Sequence, residues 1–316
     1  NQEDLQKLLN YCQGVIEKRS TLPILSNVLI NASDSKLTII ATDLDLIFIQ
    51  EIKDIEIQEE GKTTTTSSIL YDIIRKFSSG KKINFSFSGE NKLQLESDKS
   101  IFHLNCISAS EFPITDENFN QNQFSIKSKT LLKLLNKCKF SVSNDETRHY
   151  LNGIYFHKTQ LENKSFLCGV ATDSHRLSSS SLEIDPKINI EPIILPKKTI
   201  FQLIFLLEQS SSTIKISNNK SKIKFEINAS VLISKVIDGR FPDYSKVIPK
   251  NNDKILQIKL DEFRNSIERV ATVSSDRTKG LKMTISKDGV QLSVNNPNSG
   301  EGIDNINAKF NSNDLN

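Results

Sequence analysis

The strongest constraint in this sequence is a short pattern that recurs at domain-like spacing. An apolar run, Leu167 to Val170, leads into Ala171-Thr172-Asp173-Ser174-His175-Arg176-Leu177. The same order stands upstream as Leu37-Thr38-Ile39-Ile40-Ala41-Thr42-Asp43-Leu44-Asp45-Leu46. Thr42 and Thr172 are about 130 positions apart, the length of one small domain. A weaker copy, Leu292-Ser293-Val294-Asn295-Asn296-Pro297, lies about 125 positions beyond Leu167. Each copy reads as a buried strand running into a polar turn. A chain of 316 residues patterned in this way is expected to be one module used three times, with the chemistry concentrated in the middle copy.

Periodicity fills in the module. Leu5, Leu8, Leu9, Cys12 and Ile16 stand three and four apart and predict an amphipathic helix over 4–16. A second helix, Ile69 to Phe77, follows the Thr63–Ser68 tract, where Ser67 or Ser68 would be the N-cap. Ile83, Phe85 and Phe87, a turn at Gly89-Glu90-Asn91, and then Leu93 and Leu95 alternate as a hairpin, continued by Phe102 and Leu104. The polar run Asp116–Gln123 reads as a linker. The order then recurs with helices Lys129–Phe140 and Lys198–Glu208 and strands at Ile154–Phe156, Phe166–Val170, Ile214–Ile216, Ile223–Ile227 and Val231–Val236. A third round opens with Ile255–Ile258 and helix Asp261–Val273, followed by the hairpin Met283/Ile285 to Val290/Leu292/Val294. Helices on antiparallel sheets give an α+β class. The expected domain limits are 1–121, 122–250 and 251–316.

Charge matters by position, since the net charge of +3 announces no partner by itself. In the helix 129–140, Lys129, Lys133 and Lys137 are four apart and share one face, while Leu131, Leu132, Leu134, Leu135 and Cys138 fill the other. Arg75-Lys76 ends the corresponding helix of the first copy, and Lys197-Lys198 begins the second helix of the middle copy. Such a face is either plain solvated surface or a sequence-blind contact for a phosphate backbone. Few aromatic residues accompany these lysines, which argues against base stacking on single strands.

Several classes are set aside. The four cysteines are scattered, so neither a zinc site nor a disulfide framework is expected, and a reducing cytosol is the expected compartment. No apolar run is long enough to span a bilayer, and no secretory leader is read. Ser174-His175 invites comparison with a hydrolase, yet no G-x-S-x-G elbow accompanies it, and no phosphate loop or H-E-x-x-H is present. Asp43 and Asp45 lack the further acids that a metal pair would need. The expectation is a protein without catalysis, cofactor or metal.

Taken together, five stretches closely resemble the bacterial DNA sliding clamps, the beta-subunit family of DNA polymerase III. They are Thr21-Leu22-Pro23-Ile24-Leu25, Tyr150-Leu151-Asn152-Gly153, Ala171 to Leu177, Asp238-Gly239-Arg240-Phe241-Pro242-Asp243-Tyr244 and Val247-Ile248-Pro249-Lys250-Asn251. They run in the family's order along essentially the whole chain. The resemblance implies three clamp domains forming half of a homodimeric ring around duplex DNA. It also implies an opening strand before Asn1 and a C-terminal half of the third domain that this sequence does not contain. Partners implied are the replicative polymerase catalytic subunit, the clamp loader, repair polymerases and mismatch-repair proteins, with no membrane, in the nucleoid-associated cytoplasm. Matched by position, a partner-peptide cleft would comprise Leu151, Thr172, Ser174, His175, Arg176, Leu177, Pro242, Lys246 and Val247. Ser174 stands where the family often has glycine, and Lys246 where arginine is common. DNA-binding positions would be Arg19, Arg75, Arg148, His149, Tyr150, Lys197 and Lys198, beside Lys129, Lys133 and Lys137. A dimer interface would use Phe102 and Leu104 on one side, and Thr272 and Val273 on the other.

Overall fold

The helical and alternating patterns resolve, in a computed structural model, into five helices and twenty strands among the residues it describes. These are residues 1–17, 21–87, 91–114, 119, 123–274, 280–287 and 289–315. In the first copy, α1 (Gln2–Cys12) is capped by the Asn1 side chain, which accepts from the Glu3 N–H at 2.9 Å. A meander of β1 (Asn27–Ser33), β2 (Lys36–Thr42) and β3 (Leu46–Lys53) follows. Then come β4 (Gly61–Thr66), α2 (Ser67–Ile74), β5 (Asn84–Phe87), β6 (Lys92–Ser97) and β7 (Ser100–Ile107).

The Thr/Ser tract departs from expectation. It is a strand entering a helix, not a capping loop. Thr63, Thr64 and Thr65 are buried in β4, and Ser67 is already helical. The β-branched side chains suit a pleated surface, and two of the hydroxyls find partners across the sheet. Thr64 Oγ1 donates to Ile107 O at 2.8 Å, and Thr65 Oγ1 to Asn105 O at 3.1 Å.

The middle copy repeats one motif twice, a strand and a helix followed by three strands. The first pass is β8 (Gln123–Lys127), α3 (Ser128–Cys138), β9 (Gly153–Leu161), β10 (Lys164–Thr172) and β11 (Leu177–Ile184). The second is β12 (Ile193–Pro196), α4 (Lys197–Glu208), β13 (Thr213–Asn218), β14 (Lys222–Ile227) and β15 (Ser230–Lys235). The leading strand of each pass joins the other's meander: β8 pairs with β13, and β12 with β9. The four-stranded sheet β11-β10-β9-β12 and the strands β8 and β13–β15 thus enclose α3 and α4. A Cβ at Gly169 would lie 2.6 Å from Leu134 Cδ2, so glycine is what lets α3 sit this close to β10.

The first two copies do not stand apart. Strand β15 pairs with β3 in register from Ser230↔Gln50 to Ser234↔Leu46, giving one antiparallel sheet of eleven strands, β5-β6-β7-β4-β1-β2-β3-β15-β14-β13-β8. Helices α2, α1, α4 and α3 pack in sequence side by side, and one apolar core runs through both copies. Gln202 donates to the Tyr11 carbonyl at 2.8 Å, and Phe205 meets the Tyr11 ring edge-on. Residues 1–241 are therefore one compact unit, and 242–316 form a second. The second unit contains β16 (Leu256–Gln257), α5 (Leu260–Ala271), β17 (Lys282–Ser286), β18 (Gly289–Asn296), β19 (Gly300–Ile306) and β20 (Lys309–Phe310). Its own core is built on Val270, Val290, Leu292 and Val294. Among the described residues no helix is long and apolar enough to cross a membrane.

Candidate partner-binding turn and nucleic-acid face

The recurring Thr-Asp pattern folds the same way twice. At the β2–β3 corner the Thr42 hydroxyl accepts from Leu44 N–H (3.0 Å), and Asp43 Oδ1 accepts from Asp45 and Leu46 N–H (2.9 and 2.6 Å). At the β10–β11 corner the Thr172 hydroxyl accepts from Ser174 N–H (3.1 Å), and Asp173 Oδ1 accepts from His175 and Arg176 N–H (3.0 Å each). Leu44 and Ser174 both take positive φ, 80° and 78°. In each corner, side-chain oxygens replace strand partners that the backbone has lost. The third corner keeps a remnant, since Asn296 Oδ1 accepts from Asn298 N–H at 3.0 Å.

The surroundings of the two corners differ. Asp43 is sealed in: its side chain is 7% exposed and its carboxylate meets Lys198 Nζ at 2.5 Å. Lys198 also donates to the Val15 carbonyl (2.7 Å), so it ties the middle copy to the first. The second corner is open. Ser174, His175 and Arg176 are exposed, and Arg176 pairs with Asp173 at 3.0 Å while lying 5.7 Å over the Phe140 ring. Burial works to raise the Asp173 carboxyl, but the backbone donors and Arg176 outweigh it and hold its pKa below the ordinary value. Ser174 Oγ accepts from Arg148 at 2.5 Å, so this hydroxyl faces a guanidinium.

Of the other positions expected for a cleft, Leu151 and Leu177 lie in the first unit and Pro242, Lys246 and Val247 in the second. Leu151 is buried at the end of the helical turn Glu146–Leu151, and Leu177 is half-buried at the start of β11. In the second unit Pro242 is exposed, Val247 is 67% exposed and Lys246 lies 3.4 Å from Asp243.

In the loop 144–150, Asp145 works as a cap. It accepts from Thr147 N–H (2.9 Å), Thr147 Oγ1 (2.6 Å) and Arg148 Nε (2.8 Å). The Thr147 hydroxyl first, then Arg148, pull its pKa down to about 2. His149 Nε2 contacts the Asp238 carbonyl at 3.1 Å, and Tyr150 is half-buried. Lys197 reaches the Asn144 side chain.

Helix α3 presents Lys129, Lys133 and Lys137 to solvent and buries Leu131, Leu134, Leu135 and Cys138. The expected bias does not extend to every helix. The exposed face of α1 carries Glu3, Asp4 and Lys7, that of α5 mixes Asp261, Arg264, Glu268 and Arg269, and Arg75 after α2 is paired with Asp72 at 2.9 Å. Arg19 lies outside the described residues.

Strand β7 pairs with β4 only through Cys106 and Ile107, so its first part has a strand on one side alone among the described residues. Ile101 (55% exposed) faces outward there, while Phe102 is on the side of Leu104, its ring edge-on to Phe77, and Leu104 is in the core. Sequence reasoning missed Ile101, although its apolar side chain sits out of phase with Leu104 in a strand and so marks the outer face. In the second unit, β19 pairs only with β18 among the described residues, Val273 is half-buried and Thr272 is exposed.

Comparison with known proteins covers the whole chain. Residues 1–116, 125–243 and 245–316 match the family models for the N-terminal, central and C-terminal domains of the DNA polymerase III beta subunit. A beta sliding clamp from Caulobacter vibrioides is 35% identical over 308 residues, covering 97% of this chain and 82% of the relative. That of Escherichia coli is 30% identical over 299 residues, covering 95% and 80%. A crystal structure of a sliding clamp from Bartonella birtlesii bound to griselimycin is similar with a TM-score of 0.95 at 36% identity, covering 100% of this chain and 84% of that one. The DNA polymerase III subunit beta from Pseudomonas aeruginosa gives a TM-score of 0.90 at 29% identity, covering 99% and 84%.

Proposed function

This chain belongs to the DNA polymerase III beta-subunit family, the beta sliding clamps, and is a non-catalytic processivity factor of DNA replication; from that premise we propose which of its surfaces serve that role. Its three clamp domains, with limits at 1–121, 122–250 and 251–316, form half of a homodimeric ring threaded by duplex DNA. The grip is topological. A polymerase held to a ring cannot diffuse away, so its effective concentration at the primer end stays high.

The observation that carries the DNA reading is the lysine face of α3, three exposed ammonium groups four residues apart. Point charges on flexible stems attract phosphates without fixing a register, which suits sliding. Arg148, His149, Tyr150 and Lys197 cluster beside it at the loop 144–150. Arg75, Arg148 and Lys198 contribute less, because each already holds a carboxylate. Arg19 keeps its place in the proposal on the resemblance alone.

The open corner at Thr172–Leu177 is the partner-docking element, and the resemblance also assigns Leu151, Pro242, Lys246 and Val247 to peptide binding. Apolar members take the anchors of a short peptide, and the polar ones fix its backbone. Its occupants are the replicative polymerase, the clamp loader, repair polymerases and mismatch-repair proteins, in the nucleoid-associated cytoplasm. The single-sided stretch of β7 supports a strand-to-strand dimer interface through Phe102 and Leu104, opposite Thr272 and Val273.

Retention on DNA tests the reading. Loaded by a clamp loader, the protein should remain on nicked circular DNA and leave a linear molecule from its ends. Equal retention on both would replace the ring with ordinary nucleic-acid binding. Lys133→Glu with Lys137→Glu should impair loading or sliding on the circle.

A further inference from the structure

One side chain touches both the loop 144–150 and the open corner. Arg148 stands in the loop, where the backbone kinks at its own position (φ −115°, ψ 55°), and its Nη1 donates to Ser174 Oγ in the corner at 2.5 Å. We propose, resting on the assignment of the loop to DNA and of the corner to a partner peptide, that this bond couples the two surfaces. Each ligand then strengthens the binding of the other.

Ser174 Oγ is the one side-chain oxygen of the corner that can change partner without undoing the turn. The Thr172 hydroxyl accepts from Ser174 N–H and donates to the Arg176 carbonyl. Asp173 accepts from two backbone N–H groups and from Arg176 Nε. Those oxygens hold the corner's shape. The Ser174 hydroxyl is exposed and meets Arg148, so a peptide N–H that takes it as acceptor has only the guanidinium to displace.

Arg148 is equally fit to exchange. Its Nε is anchored on Asp145 at 2.8 Å, and the Thr147 hydroxyl first, then Arg148, hold that carboxyl at about 2, so the anchor is ionised at neutral pH. A guanidinium carries five N–H donors, so its Nη groups can leave Ser174 for a phosphate while Nε stays on Asp145. The phosphate oxygen is the stronger acceptor, because its bond to the guanidinium is charged on both sides. Asp173 does not compete for Arg148, since Arg176 and the backbone already occupy it.

Two ligands that must break the same internal bond help one another. A phosphate that draws Arg148 away uncovers Ser174, and a peptide that claims Ser174 releases Arg148 to a phosphate. Whichever arrives first removes that penalty for the second, and linkage makes the two effects equal. The corner therefore grips its partner better when a duplex lies against the loop.

The test uses the full chain, a blunt duplex oligonucleotide and a fluorescein-labelled peptide with Leu and Phe anchors, at one fixed salt concentration. Saturating duplex is expected to tighten the peptide about fivefold, and saturating peptide to tighten the duplex by the same factor. Ser174→Ala releases Arg148 and should bind the duplex about fivefold more tightly than the parent without peptide, a gain that a misfolded variant would not give. Arg148→Met without duplex should bind the peptide as tightly as the duplex-saturated parent does, and duplex should add nothing. Affinities that are independent of each other, or that weaken each other, overturn the coupling and leave both surfaces assigned. Ser174→Ala binding the duplex no better than the parent overturns it too. Failure of the peptide or the duplex to bind at all removes the surface assignment and the coupling with it.

Discussion

The corners at Thr42–Leu46 and Thr172–Leu177 are built by the same hydrogen bonds and put to opposite uses. In the first, the aspartate is closed over by Lys198 and joins two copies of the module. In the second, the aspartate turns to its own Arg176 and the corner stays open to a visitor. Local sequence sets the shape of such a corner, because hydroxyl and carboxylate acceptors satisfy the same backbone donors in both. What lies opposite sets its purpose. A repeat protein can therefore keep one turn, close it for cohesion in one copy and leave it open in the next, where we propose that it serves recognition.

The largest effect should come from the closed corner. Asp43→Ala leaves two backbone N–H donors without their acceptor and leaves the Lys198 ammonium only the Val15 carbonyl, and should cost about 3 kcal/mol in urea unfolding of the full chain. Asp173→Ala likewise leaves two backbone donors unpaired, but its Arg176 is free to turn into water. It should cost about half as much. Equal losses at the two positions would erase the distinction drawn here.

The open corner also carries a pH signature. Asp173 has a depressed folded pKa, so its contribution to stability is present above the unfolded carboxylate value of about 3.9 and is lost as pH falls through the lower folded value. Peptide binding should accordingly be flat from about pH 8 to about pH 5 as far as this carboxylate is concerned, with the corner giving way only in stronger acid. Loss of amide protection at His175 and Arg176 already at mild acidity would contradict it.

At the level of binding, His175→Ala should weaken a fluorescent partner peptide by about tenfold with unfolding unchanged, whereas Leu44→Ala in the closed corner should leave that peptide untouched. The smallest effect is reserved for Ser174→Gly. It relieves a left-handed residue of strain on the order of 1 kcal/mol but gives up the hydroxyl that Arg148 holds, so stability should move by less than about 1 kcal/mol. The informative readout is mobility of the loop 144–150, which should rise when Arg148 loses this hold.

Much of this was legible in the chain itself. The alternation of Leu93, Leu95, Ile223, Phe225 and Ile227 gave the strands, and the spacing of Leu131, Leu134, Leu135 and Cys138 gave α3, because burial of one face imposes those periods. The Thr-Asp corners were visible because Asx chemistry is local. What stayed hidden depends on partners distant in sequence. Nothing near Lys198 announces that it will meet Asp43, and nothing in the threonine tract announces the carbonyls of Asn105 and Ile107. Nor does either strand by itself show that β3 and β15 will fuse two copies into one sheet, since edge pairing is written in main-chain groups common to all residues.

That last point bears on how the molecule can vary. Beside the shared apolar core, the joint between the first two copies uses amides and carbonyls of Leu46–Gln50 and Ser230–Ser234. Side chains on the outer face of those strands can drift over generations without loosening that ladder, so it should be mutationally robust where the side-chain-dependent Asp43–Lys198 tie is brittle. One residue type escapes that tolerance. β15 has a neighbour on each side, so a proline anywhere along it would delete a bond on one of them and open a crack through the widest sheet in the protein.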